Sequence, residues 1–226
     1  MKSMNKSKLY IAFDLSLHHT GWAVYLQDNN PSITPKVIEV GIINTDLAEN
    51  ELLYLYEEIT KVISKYNNSK YFVTIFKEKQ AQQMSGGKTT VKTIVGLAKA
   101  HAICELACSK LGLFCTDVSA LTAKVFVVGK GHRDASKEEV LNAVLSKFNY
   151  LEFEQFGALK YDVADAVAVA LTADFVLEQS IHEKIKENNT LIRKYKKSIE
   201  KRKNKRLSEK IIELEEENKQ LKNKIS

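Results

Sequence analysis

A chain of 226 residues that is 44% hydrophobic and 27% charged carries enough apolar material for a substantial core, which argues against a disordered or low-complexity protein. No apolar run reaches transmembrane length and the first residues, MKSMNKSK, are polar, so neither a membrane span nor a secretory leader is expected; the expected location is cytoplasmic. The net charge of +6 is unevenly placed: residues 181–226 hold 15 Lys/Arg against 8 Asp/Glu, while residues 1–180 balance at −1, so a basic tail aimed at nucleic acid or another polyanion is expected.

Residues 9–17, LYIAFDLSL, read as a strand of β-branched and aromatic residues interrupted by one acid, Asp14. HHTG turns the chain into a second strand at 21–27. The loop DNNPS leads to a third at 36–45, which makes an antiparallel meander. Asp46 is a candidate cap for a helix running to about Tyr66, with Leu52, Leu55, Ile59, Val62 and Ile63 on one face. A fourth strand at 71–79 has Glu78 as its only acid, and the polar, glycine-containing stretch after it, up to Thr90, reads as mobile.

A helix at about 91–111 and a short strand at 113–118 complete a strand–helix–strand crossover, whose two strands must be parallel. A short apolar segment at 121–128 and the loop GKGHRDA precede a helix at 136–148, opened by the capping box Ser136/Glu139. After an irregular stretch comes KYDVADAVAVALTADF, a helix apolar nearly all round and therefore buried. The order of elements describes an α/β domain with a mixed sheet.

The division expected is a domain over 1–178 and a tail over 179–226. In the tail, residues 193–206 hold nine basic residues and one acid. Leu207, Ile211, Leu214, Asn218, Leu221 and Ile225 form a heptad seam with one polar position, and Ile181, Ile185, Asn188, Ile192, Tyr195 and Ile199 form another, out of phase. Two short coiled coils with a hinge and a helical hairpin both satisfy this pattern. Cys104, Cys108 and Cys115 fit no zinc spacing and read as small, reduced core residues.

Asp162 and Asp165, three residues apart, put two carboxylates on one helix turn at the edge of an apolar core. Alone, the pair reads first as a helix start, with Asp162 as N-cap and Asp165 in the first turn, and the rest of the chain has to supply more carboxylates before a metal reading prevails. Asp14 inside an apolar strand and Glu78 at a strand end add two further acids, and a divalent cation with oxygen ligands would compensate such a set.

These motifs resemble a known family. FDLSLHHTGWAV is similar to the first-strand motif of RuvC-type Holliday junction resolvases, with Asp14 at the metal position and Thr20-Gly21 at the hairpin turn. VTIFKEKQ resembles the strand ending in the family's catalytic Glu, here Glu78. One departure is the lysine on either side of that acid, Lys77 and Lys79. KYDVADAVAVA resembles the last motif, where two acids open a helix. AKVFVVGKGHRDASKEEV resembles the segment with phosphate-binding basic residues, whose matching candidates are Lys124, Lys130, Arg133 and Lys137; Lys88, in the loop after the fourth strand, is a further candidate for the DNA backbone.

The resemblance covers about residues 8–178 and implies a ribonuclease H-like fold with a helical or coiled-coil extension. It implies Asp14, Glu78, Asp162 and Asp165 as catalytic metal ligands for two Mg²⁺ ions, with Mn²⁺ able to substitute. The function implied is paired phosphodiester hydrolysis in branched DNA, the four-way junction above all, by a homodimer. A phage or mobile-element source would suit a compact core with an unusual tail, and would place the protein in the host cytoplasm. His18, His19 and His132 are loop histidines beside this constellation, and such groups are usually bystanders.

SGGKTT has part of a phosphate-loop pattern, but Gln82 stands where its first glycine must be. Sugar kinases of the actin type also open with an Asp-bearing strand and a Thr-Gly turn, yet no second glycine-rich phosphate motif follows. The rival from another class is a non-catalytic DNA-binding or scaffolding protein working through its tail.

Overall fold

The computed structural model describes residues 6–28, 30, 32–68, 70–80, 90–129, 135–202 and 205–225, with the side chains of 197–207 left undescribed. Its compact units are Met1–Ala173 and Asp174–Ser226.

In the first unit, β1 (Lys8–Asp14), β2 (His19–Gln27) and β3 (Lys36–Asn44) form the antiparallel meander. β4 (Phe72–Glu78) and β5 (Cys115–Val118) add to the other side of β1 in parallel, giving the order β3-β2-β1-β4-β5. The central strand β1 is covered on both faces: Leu9, Tyr10, Ile11, Ala12 and Phe13 are all buried. That is why its sequence lacks the polar alternation of a half-exposed strand.

α1 (Glu51–Tyr66) joins β3 to β4, and α2 (Val91–Lys110) joins β4 to β5. Both pack on one sheet face, where Leu55, Ile59, Ile63, Ala100, Cys104 and Ala107 meet Leu9, Ile11, Phe13, Val24 and Ile75. α1 is capped by Asn50, whose side chain accepts from the Leu53 N–H, and not by Asp46, which lies outside the helix and accepts from His19 instead. DLAEN offers two capping residues, and the one adjacent to the apolar stripe wins.

α3 (Ala120–Val128), α4 (Lys137–Lys147) and α5 (Lys160–Leu171) build the other face, with α5 lying against β1, β2 and β4. The capping box at Ser136/Glu139 is formed on both sides. The apolar segment at 121–128 is helical, and the irregular stretch before α5 contains a 3₁₀ turn at Glu154–Leu159. α5 buries Val163, Ala164, Ala166, Val167, Ala168, Val169 and Ala170; the run of alanines lets it lie close to the sheet.

The second unit is a helical hairpin of α6 (Ala173–Arg202) and α7 (Lys205–Lys222). Asn188 donates to Asn218 Oδ1 at 3.1 Å and to Glu217 at 3.0 Å, Asn218 donates to Asn189 at 3.1 Å, and Lys196 pairs with Glu215 at 3.0 Å. Ile185, Ile192 and Ile211 are buried. Over their described side chains, the two out-of-phase seams therefore face each other within one chain. No helix among the described residues is long and apolar enough to cross a membrane.

Candidate active site

β1 and β4 are parallel neighbours with Phe13 opposite Lys77, so Asp14 and Glu78 end side by side at their carboxyl ends. Strand alternation sorts the side chains: Phe13 and Lys77 point to the α1/α2 face, Asp14 and Glu78 to the α5 face. The Lys77 anomaly is resolved by this geometry. Its ammonium, 3% exposed, pairs with Asp117, directly opposite on β5, and with Glu105 of α2 at 3.1 Å; His101 Nδ1 is also 3.1 Å away. Sequence reading missed this cluster, for which Asp117 in a short apolar strand was the available signal.

On the other side of β1, Asp14 is the register partner of Gly21. A Cβ on Gly21 would stand 2.1 Å from the carbonyl oxygen of Asp162 and 2.9 Å from the Val163 nitrogen. Only glycine admits the first turn of α5 at that distance, which carries Asp162 and Asp165 up to Asp14. Thr20, fully buried, locks the preceding turn: its hydroxyl donates to Ser16 O at 2.7 Å and accepts from Ser16 N at 3.2 Å. α5 begins at Lys160 with no side-chain cap, so Asp162 is not an N-cap but a first-turn residue.

The four acids feel one another. Burial holds the Asp14 carboxyl well above the usual range, and Glu78, Asp165 and Asp162 push it further the same way. Glu78 is pushed up to about 7, first by burial and then by Asp165. Asp165 is raised by burial, against Lys137 and Lys124. Lys137 reaches in from the first turn of α4, with its ammonium 3.0 Å from Asp162 Oδ1 and 3.8 Å from Asp165 Oδ2. Lys124 donates to Ala135 O at 3.3 Å while its charge bears on Glu78 and Asp165.

Asp14, Glu78 and Asp165, raised first by burial and then by neighbouring acids, together with an ammonium set against Asp162 and Asp165, make an oxygen-donor set short of positive charge. That suits a hard divalent cation. Of the basic candidates, Lys124 and Lys137 come to the acids, whereas Lys88, Lys130 and Arg133 lie outside the described residues, as does His132. His19 Nε2 is 2.8 Å from Asp46, and His18 Nδ1 is 3.6 Å from Asp46 and 3.7 Å from Glu51, so both face that exposed pair.

A mixed five-stranded sheet with acids at the ends of β1 and β4 and at the start of the covering helix defines a protein of ribonuclease H-like fold. The family model described as crossover junction endodeoxyribonuclease RuvC matches residues 11–173, and the chain belongs to that family. Among solved structures, RuvC of Thermus thermophilus is similar at 18% identity, with 74% of this chain and 93% of that one covered and a TM-score of 0.56. The T. thermophilus RuvC structure in complex with a Holliday junction substrate is similar at 18% identity, over 75% of this chain and 94% of that one, with a TM-score of 0.59. No curated protein matches the chain by sequence.

Proposed function

We propose that this chain is a divalent-metal-dependent endodeoxyribonuclease that resolves four-way DNA junctions by paired phosphodiester hydrolysis. The observation that carries the reading is the set Asp14, Glu78, Asp162 and Asp165, brought to one end of the sheet from three separate elements, within a chain of the RuvC family.

In this reading the four carboxylates hold Mg²⁺, with two ions per site and Mn²⁺ able to replace it. Such ions, when bound, stabilise the charge that builds on the attacking and leaving oxygens of a phosphodiester. Glu78, with its carboxyl near 7, completes its ionisation when a cation offsets the neighbouring acids. Lys137 neutralises Asp162 until substrate arrives, and can then turn its ammonium to the scissile phosphate. Lys124, one helix away, adds positive charge to the same region, while Lys88, Lys130 and Arg133 are assigned to the DNA backbone on sequence alone.

A twofold homodimer would present two such sites to the symmetric strands of a junction. Support comes from α2, which exposes Val91, Ile94, Val95 and Leu106 on one side, an apolar stripe that a second copy would cover.

The test pairs a synthetic four-way junction with a linear duplex of the same sequence, each incubated with Mg²⁺ or with EDTA. Symmetric nicks in opposing strands of the junction, dependent on Mg²⁺, are expected. Equal cutting of the duplex would contradict junction selectivity, and cutting in EDTA would contradict the metal role.

A further inference from the structure

On the face of the sheet turned away from the carboxylates, three thiols converge. Cys104 and Cys108 lie one turn apart on α2 and are buried, and Cys115 opens β5. The sulfur atoms all lie within 4.8 Å of one another, and all three are free thiols. Among the described residues this is the group of Cys, His, Asp and Glu side chains whose donor atoms approach most like a ligand set.

The convergence is built by the backbone. Cys108 O accepts from Leu111 N at 3.0 Å and Leu113 N at 2.9 Å, and Gly112 takes φ 70°. The chain thus reverses in four residues and returns Cys115 beneath the helix it has just left. Parallel pairing of Cys115 with Ile75 then fixes the strand.

We propose that Cys104, Cys108 and Cys115 form a thiolate metal site that takes one thiophilic d¹⁰ cation of the zinc class. Three thiolates at about 2.3 Å from a shared ion stand roughly 3.8–4.0 Å apart, so the sulfurs need to close by less than about 1 Å. Sulfur donors select against the hard cations that suit the carboxylate end of the sheet, so the two sites discriminate by chemistry and not by affinity alone.

Hydrogen bonds from Cys104 and Cys115 hold the Cys108 thiol low, whereas contact with Cys108 and burial raise Cys104 and Cys115, so a bound cation has the protons of those two to displace. The ion would tie the last turns of α2 to β5, and through β5 to β4, whose final residue is Glu78, with its fourth position left to a ligand from outside the three thiols.

The experiment uses the reduced full-length protein with excess Mg²⁺ to occupy the carboxylates. Cd²⁺ is the optical probe and Zn²⁺ the competitor. The expected result is a thiolate-to-metal charge-transfer band that saturates at one equivalent of Cd²⁺, disappears when Zn²⁺ is added, and weakens at least tenfold in affinity in Cys108→Ser and Cys115→Ser. Zn²⁺ at a hundredfold excess over its Kd should also raise the Tm by about 5–10 °C. Absence of the band in the wild-type protein overturns the proposal whether or not the variants fold. A band of unchanged strength in both folded variants overturns it as well. Junction cleavage is not the readout, so the outcome is independent of the proposed nuclease activity.

Discussion

Replacing Glu78 by glutamine should stabilise the metal-free protein, and increasingly so as the pH rises. The carboxyl is held near 7 in the folded chain against an ordinary value of 4.5, by burial and by Asp165. A group whose pKa is raised on folding contributes stability below its unfolded value and loses it as the pH climbs through the folded one. Wild type should therefore weaken between about pH 4.5 and pH 7.5, and the variant, which cannot ionise there, should not share that loss. Two and a half pH units correspond to about 3 kcal/mol as an upper bound, reduced by whatever water reaches the carboxylate.

Urea unfolding in EDTA across that range measures the difference directly. The two proteins should have nearly equal midpoints at pH 4.5, with the variant ahead by up to about 3 kcal/mol at pH 8. Adding Mg²⁺ should raise wild type more than the variant, because only the carboxylate gains from a cation. Parallel pH profiles would show that Glu78 is not desolvated beside the other acids, and the electrostatic description of the site would fail. A gain in stability from removing a functional acid is the usual cost of gathering like charges at an active centre.

Gly21→Ala should cost about 1–3 kcal/mol or more, because its methyl would meet backbone atoms of Asp162 that have no rotamer to change. Cleavage should fall with it as Asp162 and Asp165 are displaced from Asp14; thermal unfolding and nicking rates both matching wild type would show that α5 is not seated on the glycine. In the tail, Asn188→Ala should destabilise the hairpin by about 1–3 kcal/mol by stranding Asn218, read as faster amide exchange in α6 and α7, whereas Asn188→Leu with Asn218→Leu should restore protection. Unchanged exchange in the single variant would mean the asparagine pair does not fix the register. Deleting residues 181–226 should flatten the dependence of log affinity on log salt, since nine basic residues leave within 193–206, while metal-dependent nicking at low salt persists. An identical salt slope would remove DNA from the tail's role.

The strands and the acids were legible in sequence because they break local rules. An aspartate inside an apolar strand is hard to explain by packing, and two aspartates opening an otherwise apolar helix, ordinary as a helix start alone, stand out once Asp14 and Glu78 join them. The meander and the parallel crossover followed from turn residues and from the length of the connections. What stayed hidden depends on partners far along the chain. Lys77 looked like a flaw beside Glu78, yet it is neutralised by Asp117, forty residues on, across a strand pair that no local pattern specifies. Cys104, Cys108 and Cys115 fit no ligand spacing because the third thiol arrives from a different element. Gly21 was visible as a turn residue but not as the seat of α5. The α1 cap was misassigned because two competent capping residues stand four apart, and capping preference alone cannot choose between them.

The most direct measurement is single-turnover cleavage of a pre-bound four-way junction by wild type and by Asp14→Asn, Asp162→Asn and Asp165→Asn, with binding measured in parallel. Each substitution removes one charge from the set proposed to hold the metal, and basic contacts to the backbone supply the affinity. Each variant should bind the junction as tightly as wild type, or more tightly, and lose at least about 10²–10³-fold in rate with Mg²⁺. A variant that cuts at near the wild-type rate would contradict the assignment of its residue. A wild-type protein that binds the junction and never nicks it would leave the fold as a DNA-binding scaffold and contradict the account as a whole.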